Sequence, residues 1–88
     1  MPKLRMTDTQ VQDALLRQAI KGSAGYFQLR PDEQAGIAGV TRATWYRRLN
    51  EPESFSLREL RRMVRRYKWD YRTVCAFLGV REGDSWDI

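Results

Sequence analysis

The chain has 88 residues, a net charge of +5, 42% hydrophobic and 31% charged residues, one cysteine and no histidine. That length holds one small domain whose core buries only about two-thirds of the unfolded surface, which disfavours a deep catalytic cleft. The lone Cys75 excludes an internal disulfide, the usual zinc ligand sets lack their histidine, and no run nears the roughly 18 apolar residues of a membrane span.

Residues 1–20 alternate charged and apolar side chains in place of a signal-peptide core, so the expectation is a soluble, cytoplasmic protein. Thr7 or Thr9 can cap a first helix running to about Lys21, with Asp8 and Asp13 early and Arg17 and Lys21 late, as the macrodipole prefers. Val11, Leu15, Leu16, Ala19 and Ile20 give it a wide apolar stripe. Gly22-Ser23-Ala24-Gly25 then predicts a loop, because two glycines and a serine bury little and free the backbone.

Tyr26 to Arg30 can be briefly extended before Pro31, which offers a fixed first position for a short helix to Ala38, with Asp32 and Glu33 just behind it. Gly36 makes that helix weak in isolation. Gly39 stands where the chain must reverse and positive φ is cheap only for glycine. Val40 can plug the gap between the flanking helices, and Thr41 is a good N-cap for a helix from Arg42 to Asn50.

At about 100° per residue, Trp45 and Leu49 share one side of that helix while Ala43, Tyr46, Arg47 and Asn50 lie across from them. Half of it is anchored and half presented, which suits a major groove, where arginine bonds guanine O6 and N7 together. A basic amphipathic helix alone is more often a core helix with a solvated face. The small Ala35, which lets two helices approach, the turn at Gly39 and the cap at Thr41 tip the reading toward DNA.

Ala35-Gly36-Ile37-Ala38-Gly39-Val40-Thr41-Arg42-Ala43-Thr44-Trp45, continued by Tyr46-Arg47-Arg48-Leu49-Asn50, resembles the helix-turn-helix of the Cro and lambda-type phage repressor family, over residues 9–80. The resemblance implies an all-α, lambda repressor-like bundle of about five helices, with Ala35, Gly39, Val40, Trp45 and Leu49 as the motif core. It implies base contacts from Arg42, Ala43 and Arg47, and contacts to phosphates or thymine methyls from Thr41, Thr44 and Tyr46. Three positions depart from the family pattern. Pro31 replaces a phosphate-gripping glutamine and lacks even a backbone N–H. Gln34 falls where an aliphatic residue is common. Leu49 closes the second helix one step late, with Arg48 in the customary apolar place, which implies a slightly rotated helix.

Asn50 to Phe55 reads as a loop, and Ser56-Leu57-Arg58-Glu59 as the capping box of a further helix. On it Leu57, Leu60, Met63, Val64 and Tyr67 fall within an arc of about 120°, opposed by Arg58, Arg61, Arg62, Arg65 and Arg66. Like charges three and four apart repel, so this face is either a solvated surface or a phosphate rail, with Arg58 and Arg62 the candidates for DNA-backbone contact. Residues 42–72 carry ten basic against four acidic side chains, a local excess that favours polyanions.

A last helix is signalled by Asp70 as cap, Trp69 as a staple toward Val74, and Gly79 as stop. Val74, Cys75, Phe77 and Leu78 either close the core or meet a second copy. The resemblance implies a homodimer, for which Val74, Phe77 and Leu78 are the interface candidates. Residues 1–80 thus form one helix-turn-helix domain, and 81–88 an acidic, frayed tail in which Trp86 is a possible partner anchor.

The expected function is a sequence-specific regulator of transcription, a phage-type repressor acting as a dimer on a partly symmetric operator in duplex DNA. No cofactor, small-molecule substrate or membrane is expected. An alternative is an interaction module such as the antitoxin half of a toxin–antitoxin pair, with Phe77, Leu78 and Trp86 holding a protein. An RNA-binding protein with aromatic rings free to stack is a third. An enzyme is least favoured: no nucleophile stands beside a base, and no glycine loop cradles phosphate.

Overall fold

The computed structural model describes residues 7–80, which form five helices and no strand. These are α1 (Asp8–Tyr26), α2 (Pro31–Ala38), α3 (Arg42–Asn50), α4 (Leu57–Tyr67) and α5 (Tyr71–Leu78), with a single 3-10 turn at Pro52–Ser54. The all-α class is as expected. The expected tail at 81–88, with Trp86, lies outside the described residues.

Helix α1 starts where its cap predicts. The Thr7 hydroxyl accepts from the Gln10 N–H at 3.2 Å and the Gln10 side chain accepts from the Thr7 N–H at 2.9 Å, a reciprocal capping box. Its end corrects the sequence reading: Gly22 to Gly25 are helical, not a loop, and the helix runs on to Tyr26. Glycine costs about 1 kcal/mol per helical position, and tertiary contacts outweigh that here. Ala24 is buried, and Ser23 accepts a 2.7 Å hydrogen bond from the Trp69 indole, 46 positions away. The chain turns only at Gln28, whose φ of +55° lies in the left-handed region, and Leu29 N–H then closes back on Ala24 O at 2.9 Å.

The core gathers Leu16 and Ile20 from α1, Ala35 and Ala38 from α2, Trp45 from α3, Met63 and Tyr67 from α4 and Phe77 from α5, joined by Phe55. Helix α1 packs on α5, and α2 packs on both α3 and α4. An aromatic series links Phe27, Tyr67, Trp69 and Phe77, each ring 5.6–6.1 Å from the next. Trp69 therefore packs on Phe77 as well as bonding to α1. Leu57, expected on the buried arc of α4, is 60% exposed in the first turn, while Glu59, on no apolar stripe, is buried.

Candidate nucleic-acid interface

Local chemistry fixes both ends of the α2–α3 turn. Gly39 adopts φ +81°, its N–H bonds back to Ala35 O at 2.9 Å, and the Val40 N–H closes on the same carbonyl at 3.0 Å. The Thr41 hydroxyl accepts from the Thr44 N–H at 3.2 Å and donates to the Thr44 hydroxyl at 3.0 Å, starting α3. Ala35 is buried at this crossing and Val40 is half-buried.

Trp45 is 0% exposed and packs edge-on against Phe55 at 5.6 Å. Leu49 is half-buried beside it. Across from them Ala43, Tyr46 and Arg47 are exposed, Arg42 is exposed in the first turn, and Thr44 is half-buried at the edge. The Arg42 guanidinium lies 5.7 Å over the Tyr46 ring and Nη2 donates to Tyr46 Oη at 3.5 Å, so these two form a pre-assembled pair. The Arg47 side chain forms no hydrogen bond or ion pair with another described residue, and its carbonyl accepts from the Glu51 N–H at 3.1 Å.

Arg48 turns the other way. It keeps the inward place that is customary for an apolar residue, and its Nε donates to Glu59 Oε1 at 3.0 Å. The other Glu59 oxygen accepts from the Ser56 hydroxyl at 2.8 Å, and the Ser56 hydroxyl accepts from the Glu59 N–H at 3.1 Å. Burial by itself would raise the Glu59 pKa. The hydrogen bonds from Ser56 and Arg48, with the Arg48 charge, outweigh it and hold the carboxyl below its ordinary value. This ion pair ties the back of α3 to the first turn of α4.

A second tie comes from α1. Arg17 Nε donates to Leu49 O at 2.7 Å and Nη2 to Asn50 O at 2.9 Å, closing carbonyls that α3 leaves without intrahelical partners and placing a cation at its negative end. No local signal marks Arg17, which lies 32 residues from its acceptor. Arg48 had one: a charged residue standing in an apolar position.

The arginine row of α4 is exposed throughout but is not uniform. The Arg62 guanidinium lies over Gly39, so close that an added Cβ would meet Nη1 at 1.6 Å. It thus sits beside the turn that leads into α3. Arg62, Arg65 and Arg66, with Lys68, surround Ile37 in a shallow basic pocket of ≈ 450 Å³, and Arg66 rests 5.1 Å over the Phe27 ring. Lys68 was not among the expected site residues; its φ of +54°, which ends α4, carries it there. Arg58 is exposed in the first turn. Among the interface candidates on α5, Phe77 is buried against Trp69, Val74 is half-buried and Leu78 is 57% exposed.

Among the described residues no helix is long and apolar enough to cross a membrane, and no group of side chains is arranged to hold a metal ion. No curated protein and no solved structure matches the chain. The family model for the antitoxin Xre-like helix-turn-helix domain matches residues 6–65, more than half of the sequence and all of α1, α2 and α3. The chain therefore belongs to the antitoxin Xre-like helix-turn-helix family, a DNA-binding family of the Xre/Cro type.

Proposed function

We propose that the protein is a sequence-specific regulator that reads duplex DNA with α3. The observation that carries this reading is the division of α3: Trp45 fully buried and Arg47 exposed two residues later. Arg42, Ala43 and Arg47 meet base edges in the major groove. Thr41, Thr44, Tyr46, Arg58 and Arg62 hold the flanking phosphates, and Lys68 joins them from the basic pocket. Two copies bind a partly symmetric operator, each placing its α3 in one half-site.

Between a phage-type repressor and the antitoxin half of a toxin–antitoxin pair, the matched family favours the second. Binding then controls transcription and is coupled to the hold on a partner protein. The test is selection of bound duplexes from a random pool at two salt concentrations. The reading expects an enriched site with half-sites about 10 base pairs apart and an affinity that falls with salt. Recovery of no preferred site would overturn it.

A further inference from the structure

Helices α4 and α5 leave between them a groove of ≈ 380 Å³ lined by Leu57, Leu60, Val64, Val74 and Leu78. Leu57 and Leu78 are 60% and 57% exposed, a concentration of bare hydrocarbon on a chain of this size. Leu57, Leu60 and Val64 run along α4 for about 10 Å, two helical turns. Arg61 and Arg65 also line the groove, both are exposed, and neither pairs with a carboxylate among the described residues.

We propose that this groove docks an amphipathic helix of a partner protein, one whose apolar stripe is flanked by aspartate or glutamate. The groove takes the stripe, as helix-in-groove recognition requires, and the two arginines select the sign of the flanks. A second copy of this chain fits poorly, because two-fold pairing would gather both copies' Arg61 and Arg65 into one interface whose lining offers no carboxylate to offset them. Residues 81–88 are acidic too, but Gly79 packs beside Gln12, and Val80 lies with Val11 and Leu15 of α1. The last described residue, Val80, thus lies on the α1 side of α5. The α5 wall lies beyond the residues that match the family. Docking gives the antitoxin reading a surface but does not depend on DNA binding.

The test uses the full chain and a fluorescein-labelled helical peptide with leucines on one face flanked by glutamates, against an isomer with lysines in their place. Fluorescence anisotropy should show saturable binding of the glutamate peptide, with the lysine isomer weaker by about tenfold or more. Leu57→Glu should abolish binding with helix content unchanged by circular dichroism, and Arg61→Glu/Arg65→Glu should reverse the preference between the two peptides. Equal binding of the isomers, or binding of neither, overturns the proposal. So does a wild-type dimer that Leu57→Glu converts to monomer, which makes a second copy the occupant. A tighter hold on the peptide by about tenfold in Trp86→Ala overturns it as well, because the chain's own end is then the competitor.

Discussion

Helices α3 and α4 both carry arginines, and they use them differently. On α3 each guanidinium has its own surroundings: Arg42 lies on Tyr46, Arg48 is paired inward with Glu59, and Arg47 is left to solvent. On α4 the arginines form one exposed row, and Arg62, Arg65 and Arg66 pool their charge in a single basic pocket. A helix that fixes each side chain in a separate role suits the reading of base edges. A pooled row of charges suits a phosphate backbone, which carries no sequence information.

The sharpest way to break this contrast is to loosen the anchor of α3. Trp45→Ala should cost about 3–5 kcal/mol of stability, as other fully buried aromatic residues do. Arg61→Ala on the exposed face of α4 should stay within about 0.5 kcal/mol. Denaturant midpoints of the two variants decide it, and similar values would erase the distinction.

Next comes the tie between the two helices. Arg48→Ala leaves the Glu59 carboxylate without its cation and should cost about 1–3 kcal/mol, below the range for a fully buried pair because the Arg48 side chain keeps 26% of its exposure. Its pH dependence follows from the lowered Glu59 pKa. The stabilisation is present above the ordinary carboxylate value of 4.5 and is lost as pH falls through the folded value. Asp70, held low by its bonds from Thr73, loses stabilisation in the same direction in both chains. Unfolding followed from neutral to acid pH should therefore show a steeper loss in the wild type than in Arg48→Ala.

The glycines give smaller effects of opposite sign. Gly39→Ala forces a side chain to φ +81° and should cost about 1–2 kcal/mol. Removing Arg62 as well should relieve only the crowding and leave the backbone cost. Gly22→Ala, with open space around the new methyl, should raise stability by about 0.5–1 kcal/mol because the position is helical. A thermal melt that places Gly22→Ala below the wild type would contradict the helical end of α1.

That last pair also marks what the sequence discloses. The starts of α2, α3, α4 and α5 and the stop at Gly39 are legible because caps and turn glycines act over three or four residues. The end of α1 is not. Its glycines carry a loop signal, which Ala24 and the distant Trp69–Ser23 bond override. Arg48 stands in an apolar place, Glu59 in a capping box and Arg17 late in α1, but their partners on other helices become visible only when α1, α3 and α4 meet. Leu57 follows the apolar period of α4 but lies beyond the reach of the core, so periodicity alone gives it the wrong surroundings.

The proposed division of labour has Arg47 reading a base while Arg62 serves only the backbone. Affinities of Arg47→Ala and Arg62→Ala, measured on the selected operator and on its single-base variants at two salt concentrations, test that division directly. Arg47→Ala should lose about 1–3 kcal/mol on the operator and become indifferent to one base pair, and Arg62→Ala should weaken every duplex alike and reduce the salt slope by about one. Equal losses on all sequences for Arg47→Ala would contradict it.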